Sequence, residues 1–435
     1  MSMTERPFRL RSVALAAYLP TLLFSIGEGC IIPLIPTVAS NLGASLALAG
    51  FIAAMIMLGE LIGDIPSGWL VSRIGERTAM IGGAILAMIG VFVCLLAASP
   101  WVLAAGIFLV GLATAVFALA RHAFMTSYVP MRYRARALST LGGVFRAGWF
   151  VGPFVAAGLL HLTGRTQAVF WVFIAACVGV IVLLLLLPDP ERMFGTAERV
   201  TATTGAVRTL GAEEAAEESQ GLFSSIRTHA AVLLRLGTGA ALIAALRSSR
   251  TVILPLWALS IGMSERDTAL VIGVAGAVDF ALFYTSGQVM DRFGRIWVAV
   301  PSMIGLGLGH IALAFTHDAG PNVQLFIAIA IFLSVANGIG SGILMTLGAD
   351  LAPPADPAPF LGAWRFTGDA GGAAAPLLVA ALTAVASIAV ASGVMGALGL
   401  IGAALLARYL PRYAPSRRRR RVSGTPSGPS SPPAA

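Results

Sequence analysis

The sequence predicts an all-α integral membrane protein, with twelve transmembrane helices in two pseudo-symmetric six-helix bundles. Three observations lead there. Hydrophobic residues make up 57% of the 435 positions and charged residues 11%, and mean hydropathy is +0.87. A water-soluble domain carries about 25% charged residues, so this chain cannot cover its own surface with polar atoms and its solvent is a bilayer. The apolar runs are long and apolar on all sides, as a helix crossing about 20 residues of hydrocarbon requires, and unlike the roughly ten-residue alternating segments of a membrane barrel. Finally, one charged pattern occurs twice, 219 residues apart, as "SGWLVSRIGERTAMI" (67–81) and "SGQVMDRFGRIWVAV" (286–300).

The candidate spans of the first bundle lie near 13–38, 46–71, 79–98, 101–128, 137–160 and 168–188. Those of the second lie near 231–261, 267–289, 296–316, 322–349, 358–386 and 389–409. Only Ser387, Ser392 and Gly393 mark the break between the last two. Residues 1–12 precede the bundle at 13–188, and 410–435 follow the bundle at 231–409. The connector 189–230 changes character: "PDPERMFGTAERV" and "GAEEAAEESQG" are polar and charged, with a short surface helix expected near 220–228. The final "GTPSGPSSPPAA" has the composition of a disordered tail.

Orientation follows from arginine alone, because the chain contains no lysine. Arg6, Arg9 and Arg11 precede span 1, and Arg73 and Arg77 follow span 2. Arg132, Arg134 and Arg136 follow span 4, Arg292 and Arg295 span 8, and Arg412 and Arg417 to Arg421 span 12. The opposite loops hold Arg165 and Arg266. The positive-inside rule then puts both termini in the cytoplasm of a multi-pass cell-membrane protein. The N-terminus has the basic start of a signal peptide, but its apolar run continues into a full span and reads as an uncleaved helix. The net charge of +9 is concentrated in these loops and in "RRRRR" (417–421); attraction to anionic lipid fits it better than nucleic-acid binding. Cys30, Cys94 and Cys177 all fall inside spans, without metal-ligand spacing. No metal or cofactor is expected.

The halves match beyond the charged pattern. Gly68, Arg73 and Gly75 correspond to Gly287, Arg292 and Gly294, and Glu60 to Asp279, all at an offset of 219. "CIIPLIP" (30–36) echoes "VILPLWA" (252–258), and Pro153 corresponds to Pro376. Such order points to duplication.

On these residues the chain resembles the major facilitator superfamily. "GQVMDRFGR" is similar to that family's loop signature G-x-x-x-D-R-x-G-R, carried here by Gly287, Asp291, Arg292, Gly294 and Arg295. The first copy, Gly68, Arg73, Gly75 and Arg77, departs from it: Ser72 replaces the usual acid and Glu76 the usual basic residue. "GWFVGP" (148–153), with Gly148, Gly152 and Pro153, resembles the helix-5 element of the twelve-helix drug/proton antiporter branch, although Ser139 stands where its upstream glycine belongs. The early helix-4 arginine of proton-coupled members is also missing: with Gly111 as anchor, Ile107 occupies its place. The glycines at 75 and 294 suit positive φ in a tight turn. The resemblance implies that the loop arginines pair with acids on neighbouring helix ends and lock the two halves; a solvated basic turn is the plainer reading.

An ionised group in a span costs about 2.5–3.5 kcal/mol or more, so each needs a partner or an aqueous cavity. Arg146 and Asp279 lie at similar depths, about nine residues or roughly 13 Å from the cytoplasmic ends of spans 5 and 8. Asp64 and Arg365 lie at similar depths in spans 2 and 11. Because those helix pairs pack across the halves in the resembling fold, Arg146–Asp279 and Asp64–Arg365 are expected as inter-half gating bridges; static pairing of buried charge is the alternative. Glu28 in span 1 stays ionised facing Arg247 and Arg250 of span 7 and is neutralised facing apolar surface; alternating between the two, it is the first candidate for carrying a proton. Asp369 is the second, and Glu60 either a third or a locally paired acid. Phe24, Glu28, Arg247, Arg250 and Trp257 are the candidate lining of a substrate cavity. Trp149, Phe150, Trp364 and Phe366 are further aromatics on the same helices, and His310 reads as a packing residue.

These features imply a proton-gradient-driven secondary transporter, monomeric, exporting small amphipathic organic molecules by alternating access. A proton-coupled importer of a small metabolite is the competing reading, and a non-transporting receptor or scaffold a third. No catalytic motif is present, and a chain without lysine has no lysine-bearing phosphate loop for an ATP-driven pump.

Overall fold

The computed structural model describes residues 14–188, 199–201, 207–220, 222–353 and 358–413. The arginines before residue 14 and the basic run at 417–421 therefore lie outside the described residues.

Among the described residues, twelve helices are long and apolar enough to cross a membrane. The first half holds Leu15–Asn41, Leu46–Ile74, Glu76–Leu95, Pro100–Tyr128, Met131–Thr163 and Gln167–Leu186. The second holds Ala230–Ser260, Glu265–Phe293, Ile296–Ala314, Asn322–Leu351, Pro359–Val385 and Ile388–Tyr413. They are called spans 1 to 12 below. Every expected span is present, and several run longer than hydropathy alone predicts. Span 5 starts at Met131 because the arginines preceding its apolar run are good helix formers. The doubtful break between spans 11 and 12 is real: Ser387 Oγ accepts from the Val390 amide at 3.2 Å.

Turn chemistry repeats with the sequence. Ser45 and Ser264 each cap the helix that follows, accepting from Leu48 N at 3.3 Å and Asp267 N at 3.1 Å. On the other side, Gly75 and Gly294 adopt φ of 80° and 101°, the left-handed geometry that their spacing predicts.

Packing repeats as well. Span 1 lies on span 5 as span 7 lies on span 11, span 2 on span 4 as span 8 on span 10, and span 3 on span 6 as span 9 on span 12. The halves meet along two seams, span 2 with span 11 and span 5 with span 8. Span 10 is interrupted at Gly340–Gly342. The backbone groups freed there find partners: Arg247 donates to the Gly340 carbonyl, and Ser286 Oγ lies 2.6 Å and 2.7 Å from the carbonyls of Ile339 and Ser341. Irregular backbone at membrane depth requires that satisfaction.

The connector is more structured than its composition predicts. Arg199–Thr201 and Val207–Thr209 pair antiparallel, and helix Leu210–Gln220 precedes the expected Leu222–Thr228. Helix Leu210–Gln220 packs against spans 2 and 4 of one half and span 11 of the other.

Candidate functional site

A cavity of about 470 Å³ lies between the halves, lined by spans 1, 2 and 5 from the first and spans 7, 8, 10 and 11 from the second. The charged residues in and beside it fall into two groups.

One group stands at the seam of spans 2 and 11. Arg365 donates to Asp64 across the halves at 3.1 Å and lies 3.8 Å from Asp369 on its own helix. Asp369, which lines the cavity, is within hydrogen-bonding reach of Asp64. Glu60 faces the same cavity one helical turn from Asp64 and has no hydrogen bond or ion pair among the described residues. Two carboxylates thus share Arg365, with Glu60 beside them.

The other group stands at the seam of spans 5 and 8. Asp279 accepts from Arg250 at 3.2 Å and from Asn337 at 2.5 Å, and its second oxygen lies 4.0 Å from Arg146 across the halves. Arg146 also donates to Ser341 of the opposite half at 3.1 Å. Arg250 donates to Ser334 at 2.7 Å. Among the described residues, the Arg247 guanidinium donates only to the Gly340 carbonyl. Both expected inter-half contacts, Asp64–Arg365 and Arg146–Asp279, are therefore present, but Asp279 is held more closely by Arg250 of its own half.

Three expectations are corrected. Glu28 does not face Arg247 and Arg250. It is fully buried inside the first half, accepting from Thr114 of span 4 at 2.9 Å and from the Trp149 indole of span 5 at 2.8 Å. Phe24 is also internal to that half, stacked on Phe117 at 4.4 Å and edge-on to Phe173. Trp257 is buried with its ring edge against His317 and does not line the cavity. The aromatic lining comes instead from Phe145, Trp149, Phe150 and Phe280. Trp364 is buried too, donating to the Leu344 carbonyl at 2.9 Å. His310 packs as expected, its ring nitrogens beside the Leu306 carbonyl and Ser249.

The sequence reading gave Arg121 no role. It is buried on span 4 with its guanidinium over the Phe145 ring at 4.6 Å, within electrostatic reach of Glu28 and Glu60. Ile107, Thr114 and Arg121 recur every seven residues, two turns, and so share the helix face toward Glu28. The arginine missing at 107 has a counterpart lower on the same stripe.

The sequence profile described as Major Facilitator Superfamily matches residues 18–354 and 236–432. The chain belongs to the major facilitator superfamily. Among its relatives, a probable inositol transporter of Arabidopsis thaliana is 25% identical over 231 residues, 52% of this chain and 40% of that protein. The arabinose-proton symporter of Escherichia coli is 24% identical over 217 residues, 49% of this chain and 46% of the symporter. The match spans less than half the length of each. The structure of a D-xylose-proton symporter superimposes with a TM-score of 0.69 at 16% identity, over 93% of this chain and 98% of the other.

In this member of the superfamily the loop signatures tie helices within each half. Arg295 forms two hydrogen bonds with Asp350 at the end of span 10, the shorter 2.8 Å, and lies 3.7 Å from Asp291. Arg77 donates to the Leu184 and Leu187 carbonyls at the end of span 6, capping it. Arg73 lies over Trp69, and Arg292 over Phe293. The expected lock between halves is not made by these residues. Glu76, which departs from the family's pattern, is buried and accepts from Ser127 at 2.6 Å and from Thr209 of the connector. The Gly211 amide donates to the same Ser127 hydroxyl at 3.1 Å, so the departure anchors the connector helix.

The helix-5 element is a contact of backbones. A Cβ on Gly148 would lie 2.5 Å from the Ser25 Cβ, and one on Gly152 would lie 2.6 Å from the Cys30 amide nitrogen. This close approach of spans 1 and 5 carries Trp149 to Glu28. Gly371, 223 residues after Gly148, meets Ala241 of span 7 in the same way.

Proposed function

We propose that the protein is a secondary active transporter that carries a small metabolite into the cell together with protons, by rocking its two halves about the central cavity. The observation that carries this reading is the cavity itself. It is enclosed by both halves, and Glu60 faces it with no hydrogen bond or ion pair among the described residues. An unpaired carboxylate at membrane depth is neutralised by a proton or by water, and motion of the seam changes which is available. Glu60 and Asp369, with Asp64, are the proton-carrying group in this reading. Glu28 sits one layer behind, linked to the cavity through Trp149. Asp64–Arg365 and Arg146–Asp279 act as gates that part as the halves move. By the arginine distribution, the Gly75 and Gly294 turns, the connector and both termini face the cytoplasm, where the basic segments meet anionic lipid.

Import is preferred to efflux because the relatives named above are a sugar symporter and an inositol transporter. The drug/proton antiporter reading rested on the helix-5 element, whose Gly148 and Gly152 are accounted for by close packing on span 1. Coupling in a major facilitator protein can run either way, so an experiment decides. Purified protein in liposomes, given an acid-outside gradient and a radiolabelled panel of pentoses, inositol and small carboxylates, is expected to accumulate at least one compound. Gradient-driven expulsion of a panel member, without any accumulation, would restore the efflux reading.

A further inference from the structure

The charges also speak to what the cavity holds, and this step rests on the transport reading above. At the seam of spans 5 and 8, three guanidinium groups, Arg146, Arg247 and Arg250, line the cavity with one carboxylate, Asp279, among them. Asp279 accepts from Arg250 and Asn337 through one oxygen, and its other oxygen lies 4.0 Å from Arg146. Among the described residues Arg247 forms no ion pair, and neither its buried Nε nor that of Arg250 makes a hydrogen bond. This pole therefore carries two surplus positive charges where water is scarce, an arrangement that a bound anion relieves. The acids across the cavity do not supply it: the charged neighbours of Glu60 are Glu28, Asp64, Asp369 and Arg121. The rest of the wall is largely apolar and includes four aromatics, Phe145, Trp149, Phe150 and Phe280, with the Phe150 and Phe280 rings 5.0 Å apart across the seam. The volume of about 470 Å³ falls in the roughly 300–1,000 Å³ range of small-molecule sites.

We propose that the cavity binds a small organic anion, a carboxylate with an aromatic or apolar body. Its carboxylate lies between Arg247 and Arg146, and its body against the aromatic wall. A proton on the Glu60–Asp369 side accompanies each carboxylate, so the loaded carrier crosses without a net charge from the pair. A neutral polyol leaves the arginine surplus in place, and an organic cation is repelled by it.

The test measures equilibrium binding of benzoate, benzyl alcohol, benzylamine and myo-inositol to the purified full-length protein by calorimetry. Benzoate is expected to bind at least about tenfold more tightly than benzyl alcohol, because only it forms charge-assisted hydrogen bonds. Arg247→Gln should abolish that preference and Arg247→Lys should retain part of it, with thermal melts confirming that both variants are folded. Equal or tighter binding of the alcohol, the amine or inositol overturns the proposal. So does absence of benzoate binding, or a preference unchanged in Arg247→Gln. No gradient is involved, so failure here leaves proton-coupled import standing, while benzoate binding without gradient-driven uptake overturns import and leaves the anion site.

Discussion

Arg365 of span 11 donates to Asp64 of span 2 at 3.1 Å, joining the two halves beside the cavity. The arginine side chain is 42% exposed and the aspartate 20%, so the pair adds little to stability, about 0.2–1 kcal/mol for a pair of this kind. Its effect falls on transport. Asp64→Asn and Arg365→Gln are each expected to slow uptake severalfold while changing the thermal midpoint little. The exchanged pair Asp64→Arg with Arg365→Asp should recover part of the rate. Wild-type rates in both single variants would show that the seam does not need this bridge.

The close approach of spans 1 and 5 gives one substitution two signs. Gly152→Ala places a methyl 2.6 Å from the Cys30 nitrogen and forces the helices apart, costing about 1–3 kcal/mol. Gly158→Ala, on the same helix with nothing within 4 Å of its new Cβ, should be neutral or stabilising by up to about 1 kcal/mol. Thermal melts of the two variants check this directly.

Trp149 supplies one of the two hydrogen bonds to buried Glu28. Trp149→Phe leaves that oxygen without its donor, a loss of about 1–3 kcal/mol. Trp101→Phe removes an indole that is 64% exposed and should melt close to wild type. Equal melting of the two variants would mean that the Trp149–Glu28 bond contributes nothing.

Glu76→Arg restores the basic residue of the family's pattern and removes the acceptor for Ser127 and Thr209. The connector helix Leu210–Gln220 is then expected to detach, so limited proteolysis should cut near 205–220 faster than in wild type. Glu76→Gln, which keeps an acceptor oxygen, should lie between. Unchanged cleavage in Glu76→Arg would mean that other contacts hold the helix.

The spans, the duplicated turns and the two inter-half bridges were legible in the sequence because each leaves a one-dimensional trace. Hydropathy marks length, and an offset of 219 pairs Gly75 with Gly294 and Glu60 with Asp279. Depth along a helix was enough to match Asp64 with Arg365. What was not legible was rotation. Span 1 is apolar almost all round, so nothing in its pattern told Glu28 whether to face span 7 or spans 4 and 5. The Gly148 and Gly152 contacts settle that in space. The partners of Glu76 were hidden for a different reason: Thr209 lies 133 residues away in a connector whose polarity predicts a solvated segment.

The central claim is that protons carried on the acidic side of the cavity drive substrate inward. The most direct measurement compares wild type with Glu60→Gln in liposomes, using in two assays a radiolabelled, membrane-impermeant compound of the panel that the wild type accumulates. One is exchange across the membrane without a gradient; the other is accumulation under an acid-outside gradient. The account predicts that the variant keeps exchange and loses gradient-driven accumulation, since the amide can line the cavity but cannot release a proton. Gradient-driven accumulation equal to wild type would contradict it.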